Sequence, residues 1–276
     1  MKKINSILTI GLALANSANA APESKYQAIN NANWQLKMQD ICTGDWTEQW
    51  FLDGERAEVR SNSKGMFFSG GPIVGDSSCN AVLWTKESFS GDVKIEYEYT
   101  RMDCVKDGGV NILYILASGT GIEPYSEDIT EWSELREIPA MTAYLWNMRL
   151  LHISYASFGS DAPDGQDYLR ARHYPVKKGG PTNRFDPTYF DTGLFKPGTT
   201  YKITVIRRED DLFMNVEYLK GGALSDAYFN PDTDKISKLF HWDISSSQPV
   251  SEGRIGLRHM AKRASRYNNF KVSVLE

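Results

Sequence analysis

Cysteine is scarce in this sequence of 276 residues. The three cysteines, Cys42, Cys79 and Cys104, are too few for the disulfide framework of a small secreted domain. None of them stands at a spacing from a histidine that is typical of a zinc site, so we expect no metal centre of that kind. One bridge is plausible in an oxidising compartment, and we favour Cys42 with Cys79 because both lie in polar, loop-like stretches.

Basic residues are not in excess. The chain has 31 lysines and arginines against 35 aspartates and glutamates, which gives a formal net charge of -4 with neutral histidines. A nucleic-acid-binding domain needs a basic face, so we expect no nucleic-acid partner. An acidic protein can still hold a local cationic cleft, and the charge balance therefore leaves an anionic carbohydrate open as a partner.

Long apolar runs are absent after the first residues. The chain begins MKKINSILTIGLALANSANA, in which two lysines precede an apolar stretch and a small-x-small cleavage pattern at Ala18 and Ala20. We therefore predict a signal peptide over residues 1–20, one domain over 21–276, and a secreted or periplasmic location. No later stretch approaches the roughly 18 uninterrupted apolar residues of a membrane span, so we expect no membrane association.

Short strand patterns separated by Gly, Pro, Asp and Ser fill most of the chain. In VKIEYEYTRM, charged residues alternate with four residues that should share one buried face, namely Val93, Ile95, Tyr97 and Tyr99. About a dozen such strands and few amphipathic helices predict an all-β fold of two packed sheets. The acidic stretch at 121–140 is different, and predicts a short helical excursion that Ser126 would cap.

Three segments carry a family resemblance. They are LLHISY with His152, Ser154 and Tyr155, DYLRARHY with Leu169 and Arg170, and the late GRIGLRHMA. Together they resemble the DUF1961 family, a bacterial domain of unknown function within the concanavalin-like group of jelly-roll proteins. The resemblance covers the chain from about residue 45 to its end, and it implies a carbohydrate-active jelly roll without an established mechanism. Ala156 and Ser157 replace an arginine pair of the family, and Tyr168 replaces an asparagine, which puts the substrate in doubt.

The stretch LWNMRLLHISYASFG, residues 145–159, reads as a buried strand that carries polar residues. Because side chains alternate along a strand, His152 and Ser154 should share one face, and Tyr155 should point to the other. His152 is then either a core histidine with hydrogen-bond partners or a proton donor or acceptor on the floor of a cleft. Tyr155 is expected to pack with a hydrogen-bonded hydroxyl group.

Arginines follow the same pattern in two other segments. In DYLRARHYP, Tyr168, Arg170 and Arg172 should share one face, which is either a solvated edge or a cationic stripe for carboxylate or sulfate groups. In the late strand, Arg258 either forms an ion pair with a strand carboxylate such as Glu98 or contributes to the same cleft. Glu98 is itself a candidate for the cleft.

Three functions fit these residues. A polysaccharide lyase acting on a uronate-containing glycan would bind the carboxylate with Arg170, Arg172 and Arg258. It would take its base from His152 or His173 and its acid from Tyr174 or Tyr168. A glycoside hydrolase would need two suitably spaced carboxylates, for which no usual jelly-roll signature is present. A glycan-binding module would need only arginine and aromatic contacts. We favour the lyase and keep the other two as alternatives.

Aromatic residues make up 12% of the chain and can stack on sugar rings. Trp132, Trp146 and Trp242 are the candidates for such contacts, with Asn147 beside Trp146 as a further substrate-binding residue. We expect no cofactor and no metal ligand set, although a structural calcium ion is common in this fold. The expected partner is an anionic polysaccharide or oligosaccharide, bound by a monomer.

Overall fold

The computed structural model describes residues 21–106, 109–158, 166–176, 183–220, 237–247 and 250–275. The predicted signal peptide, residues 1–20, lies outside these ranges. The described residues form two antiparallel sheets, which we call sheet A and sheet B. Strands are numbered β1 to β16 along the chain.

Sheet A has seven strands in a row and an eighth at the side. In spatial order they are β14 (Ser237–Asp243), β13 (Asp211–Lys220), β12 (Thr200–Arg208), β7 (Asp92–Arg101), β16 (Ala264–Leu275), β4 (Gly65–Ser69) and β3 (Glu58–Asn62), with β1 (Gln35–Asp40) paired to β16. The last strand thus returns beside the first.

Sheet B is built in the same way. In spatial order its strands are β11 (Tyr189–Phe190), β10 (Asp167–Tyr174), β9 (Met148–Phe158), β8 (Gly109–Gly119), β15 (Glu252–His259), β5 (Ala81–Thr85) and β2 (Trp50–Asp53), with β6 (Phe89–Ser90) paired to β15. The chain crosses between the sheets repeatedly, since β2 and β5 lie in sheet B while β3 and β4 lie in sheet A.

The core lies between the two sheets. The face of β7 that carries Val93, Ile95, Tyr97 and Tyr99 is buried in it, as the alternation predicted. From sheet B, Leu151, Ile153 and Tyr155 point into the same core, and the hydroxyl groups of Tyr155 and Tyr267 lie 3.3 Å apart. The predicted two-sheet β-sandwich is therefore confirmed, and so is the packing role of Tyr155.

Helical segments cover the outer faces of both sheets. Helix α1 (Pro22–Asn30) packs on sheet A through Tyr26 and Ile29. The predicted excursion at 121–140 contains a 3₁₀ helix (Ile129–Arg136), and helix α2 (Met141–Asn147), which was not predicted, follows it; both pack on sheet B. We call residues 121–147 the cover segment.

Two details of the cover segment differ from the sequence prediction. The N-cap is Asp128, whose carboxylate accepts a hydrogen bond from the backbone N–H of Thr130, so the prediction of Ser126 was wrong. Ser126 instead accepts a hydrogen bond from the indole of Trp132 through its carbonyl oxygen. Helix also continues to Asn147, so the first three residues of the stretch 145–159 are helical rather than part of β9.

The three cysteines are free thiols, and the favoured bridge between Cys42 and Cys79 is wrong. Both side chains are buried, and burial raises the pKa of the Cys42 thiol to about 12. A thiol held protonated in the core behaves as a small apolar group. Among the residues described, no helix has the length and apolar character needed to cross a membrane.

Candidate polar face on sheet B

Strand register places four of the predicted site residues, His152, Arg170, Arg172 and Arg258, in two neighbouring rows across the outer face of sheet B. Residues directly opposite each other in antiparallel strands point to the same side of the sheet. The first row contains, from β10 to β2, Arg172, His152, Tyr114, Gly256, Trp84 and Phe51. The second row contains, in the same order, Arg170, Ser154, Ile112, Arg258, Val82 and Asp53. We call these two rows the polar face.

The cover segment closes this face from solvent. Tyr144 of helix α2 stacks on Tyr114 and on Trp84, with ring centroids 5.9 and 6.2 Å apart. Gly256 makes this packing possible, because a Cβ atom there would lie 2.4 Å from the Trp84 ring. As a result, Arg258 is 0% exposed, His152 2% and Arg170 4%.

A buried carboxylate attaches the cover segment to the sheet. Asp53 accepts hydrogen bonds from Nε of Arg136 at 2.7 Å, from the hydroxyl of Tyr144 at 3.0 Å and from the indole of Trp84 at 2.8 Å. Arg136 and Tyr144 belong to the cover segment, whereas Asp53 and Trp84 belong to the sheet. Removal of either charged partner would leave the other charge buried without compensation, so this contact fixes where the cover segment lies on the sheet.

Both ring nitrogens of His152 have a partner. Nδ1 lies 3.0 Å from the hydroxyl of Tyr174, and Nε2 lies 2.9 Å from the hydroxyl of Ser154. Burial lowers the pKa of His152 well below its usual value, and the charges of Arg172, Arg170 and Arg258 lower it further. The imidazole is therefore neutral at physiological pH, and burial raises the pKa of Tyr174 well above 10. His152 and Tyr174 together form a hydrogen-bonded pair of a neutral base and a protonated phenol.

Arg258 is buried with only part of its hydrogen-bonding capacity used. Its Nη2 donates to the carbonyl oxygen of Pro139 at 2.8 Å, and its guanidinium lies 4.7 Å from the centroid of the Tyr144 ring. Within the described ranges, its Nε and Nη1 atoms have no hydrogen-bond partner. Leaving charged donors unpaired in a dry environment is costly, so this guanidinium is poised for an acceptor.

Arg170 and Tyr168 lie together at the β10 end of the polar face. The guanidinium of Arg170 lies 4.8 Å from the centroid of the Tyr168 ring, and the Tyr168 hydroxyl accepts a 3.5 Å hydrogen bond from Nη2. Arg172 is less deeply buried than Arg170. The structure thus places the hydroxyl of Tyr174 within hydrogen-bond distance of His152, and places Arg172, Arg170 and Arg258 close enough for their charges to lower its pKa.

Glu98 and His173, which were also predicted as site residues, do not lie on the polar face. Glu98 points to the outer face of sheet A, where Asn269 donates a 2.8 Å hydrogen bond to it, so both sheets separate it from Arg258. The proposed pairing of these two residues was wrong. His173 follows Arg172 directly in β10, so its side chain points to the opposite face, toward the inside of the sandwich. There the centroid of its ring lies 5.3 Å from that of Phe185. It cannot serve the same site as His152.

The tryptophan candidates divide by exposure. Trp132 and Trp242 are buried and cannot stack on a sugar. Trp146, near the end of helix α2, is 40% exposed. Its neighbour Asn147 donates a 3.1 Å hydrogen bond to the carbonyl oxygen of Ala143 within the helix. No cluster of three or more His, Cys, Asp or Glu side chains suited to a metal occurs in the described part of the chain.

Sequence reasoning missed Asp53, Arg136 and Tyr144, the residues that fasten the cover segment. Asp53 precedes a glycine in the sequence LDG, a pair that is typical of a turn. Its apolar neighbours on β2 were the available signal, because a carboxylate at the end of a buried strand needs a cationic partner. The sequence does not say that this partner is 83 positions away.

No protein-family model matches the chain, and no curated protein does. Among solved structures, the chain is similar to a protein of unknown function with a galectin-like fold from Bacillus subtilis, with a TM-score of 0.60 and 16% identity over 88% of this chain and 100% of that one. It is also similar to the exoplasmic/lumenal domain of VIP36 in its Ca²⁺/Man3GlcNAc-bound form, with a TM-score of 0.53 and 9% identity over 88% of this chain and 91% of that one. At these identities the likeness concerns the fold alone, and it confirms a concanavalin-like β-sandwich.

Proposed function

We propose that this chain is a secreted or periplasmic glycan-binding protein, active as a monomer, that receives an anionic group of the glycan on the polar face. The fold supports a glycan as the ligand, since the VIP36 domain of similar fold is seen with Man3GlcNAc bound. The buried guanidinium of Arg258, with two nitrogen atoms that lack a partner among the described residues, supports the anionic group. Membership of the DUF1961 family remains a prediction.

The positive charge of the polar face favours a carboxylate as the anionic group of the ligand. The carboxylate within the two rows is Asp53, and Arg136, Tyr144 and Trp84 already use it. Asp53 is therefore not available as a hydrogen-bond partner for Arg258. A uronate carboxylate presents two oxygens at the spacing of a guanidinium fork, and could bind Nε and Nη1 together.

Access to Arg258 requires movement of the cover segment, because the guanidinium is completely buried. The face is less tightly closed at the β10 edge, where Arg172 is only partly buried. A glycan that enters from this edge would meet Arg172 before it reaches His152 and Arg258. The binding free energy would then offset the loss of packing between the cover segment and sheet B.

β-Elimination is the second candidate function, because a neutral histidine lies beside a tyrosine in a cationic environment. His152 would accept the C5 proton of a uronate, the C4–O bond would break as a C4–C5 double bond forms, and Tyr174 would protonate the leaving oxygen. Hydrolysis fits less well, because it uses two carboxylates about 5–10 Å apart, whereas Asp53 is held by Arg136.

The test is calorimetric titration of the full chain with polygalacturonate, alginate and a neutral glucan. We expect binding of a uronate polymer, and a loss of roughly tenfold or more in affinity in Arg258→Met. Arg60→Met is the matched control, because Arg60 lies on sheet A in an exposed ion pair with Glu58. Equal binding by Arg258→Met and the control, or binding of the neutral glucan alone, would contradict an anionic site.

The same samples decide between binding and elimination. Elimination leaves an unsaturated uronate that absorbs in the ultraviolet, and His152→Gln should abolish that signal. Uronate binding without any such product means that the chain is a binding protein.

A further inference from the structure

A cavity lies at the end of sheet B, apart from the polar face. Its volume is about 310 Å³, and it is bounded by the start of β15, the ends of β8 and β9, and the beginning of the cover segment. Its polar lining includes Ser118, Glu127, Asp128, Arg149, Glu252 and Arg254. None of its described lining residues belongs to the two rows, and the volume falls within the range of about 300–1,000 Å³ for small-molecule sites. We call it the end cavity.

Two arginine–carboxylate pairs form its walls. Arg254 donates to Asp128 at 3.2 Å and to the carbonyl oxygens of Thr85 and Lys86. Arg149 donates to Glu127 at 3.2 Å and to the carbonyl oxygen of Thr120 at 2.6 Å. Backbone acceptors thus fix both guanidinium groups in position, so little side-chain entropy is lost when a ligand binds.

The charge of the end cavity differs from that of the polar face. Three carboxylates, from Glu127, Asp128 and Glu252, stand against two guanidinium groups among the described lining residues. An anion in the cavity would face this carboxylate excess, and a cation would face two fixed guanidinium groups. A neutral molecule with several hydroxyl groups avoids both penalties, because each hydroxyl can donate to a carboxylate and accept from a guanidinium.

The apolar part of the lining suits a sugar ring. Ala117, Ile129 and Val250 are largely buried and line the cavity beside the charged pairs. Gly253 keeps the strands close there, because a Cβ atom would lie 2.3 Å from the carbonyl carbon of Leu116. A sugar ring has a C–H surface that packs on apolar groups while its hydroxyls bind the polar ones.

We propose that the end cavity is a binding site for a neutral sugar, separate from the anionic site of the polar face. Two sites of different charge preference would allow one chain to hold two parts of a mixed glycan, a neutral residue and a uronate. This proposal rests on the cavity, the fixed ion pairs and their charge balance, and it does not require that the polar face opens.

The experiment is titration of the full chain with glucose, galactose and mannose, and with glucuronate and galacturonate for comparison. We expect a neutral hexose to bind, and Arg149→Gln to raise its dissociation constant roughly tenfold or more. Arg60→Gln is the matched control, since Arg60 and Arg149 are both exposed arginines in ion pairs with a glutamate. Glu252→Gln is a second variant on an exposed side chain and should also weaken binding.

Three results would overturn the proposal. They are no binding by any neutral hexose, tighter binding of the uronates through Arg149, and unchanged hexose binding in both Arg149→Gln and Glu252→Gln. Arg258→Met separates the two sites, because it should weaken binding of a uronate polymer and leave hexose binding intact. If the polar face does not bind a uronate, the proposal for the end cavity can still be supported by hexose binding. If the end cavity does not bind a hexose, the proposal for the polar face can likewise still be supported.

Discussion

Arg263 and Arg258 are both completely buried, yet their surroundings differ. Arg263 lies between the sheets and uses every nitrogen. Nε donates to Asn111 at 3.1 Å, Nη1 to Asp103 at 3.0 Å, and Nη2 to the carbonyl oxygen of Ala156 at 2.7 Å. Arg258 lies on the outer face of sheet B and uses Nη2 alone among its three nitrogens, within the described ranges.

The difference separates a structural arginine from one that is available for a ligand. Asp103 joins Arg263 to Arg101, and its second oxygen accepts from the backbone N–H of Ala264, so both buried guanidinium groups share a protein carboxylate. Arg136 follows the same rule through Asp53 and the carbonyl oxygen of Trp132. Arg258 lacks partners of this kind for two of its nitrogen atoms among the described residues, and proteins tolerate unsatisfied buried polar groups at functional sites.

Asp103→Asn is expected to have the largest effect on stability. It would remove the negative charge shared by Arg101 and Arg263 and turn an amide N–H₂ toward their donors. Breaking a buried ion pair by removing one partner costs about 3–5 kcal/mol, and we expect a loss of that size in the free energy of unfolding. Urea denaturation monitored by tryptophan fluorescence measures it. A loss below about 1 kcal/mol, the scale of an exposed pair, would show that the cluster is not structural.

Acid should destabilise the protein through its buried histidines. Burial and the charge of Arg263 lower the pKa of His259 to about 3, and the pKa of His152 is also well below its usual value. The unfolded chain binds protons below its pKa of about 6.5, whereas the folded chain does not, so stability is full above that pH and falls as the pH decreases.

The slope of unfolding free energy against pH identifies the histidines that are responsible. His259 should contribute about 1.4 kcal/mol of lost stability per pH unit between about pH 6 and 4, and His152 adds to the loss in the same direction. His259→Gln should reduce the slope by that amount, whatever its effect on stability at neutral pH. A uronate ligand should reduce the contribution of His152 and leave that of His259 unchanged, because the bound anion would offset the charges of Arg170, Arg172 and Arg258. An unchanged slope in His259→Gln would contradict the assignment.

Alternation along strands explains how much of the polar face could be predicted. His152, Arg170 and Arg258 were each assigned to the correct face of a strand, since that assignment needs only local sequence. The same rule separates His173 from His152, and the sequence prediction did not apply it when His173 was named as an alternative base. The strands themselves were predicted by their apolar pattern, as β7 shows.

Pairing between distant strands could not be predicted in this way. Glu98 was placed in the cleft because its side chain alternates with core residues, but alternation does not say which sheet a strand joins. The cover segment is a similar case. A short helix was predicted within 121–140, whereas helix α2 was not, and the position of both helices over sheet B depends on the contact between Asp53 and Arg136, which are far apart in the sequence.

Arg258→Met is expected to have the smallest effect on stability, although it removes a buried charge. The variant loses one hydrogen bond to Pro139 and one cation–π contact with Tyr144, which together contribute about 1–3 kcal/mol. It also removes the cost of burying two nitrogen atoms without hydrogen-bond partners, which is of similar size, so the net change should lie within about 1 kcal/mol of zero. Urea denaturation beside Asp103→Asn measures the contrast. If Arg258→Met instead lost as much stability as Asp103→Asn, Arg258 would be a structural residue like Arg263, and the anionic site on the polar face would lose its main support.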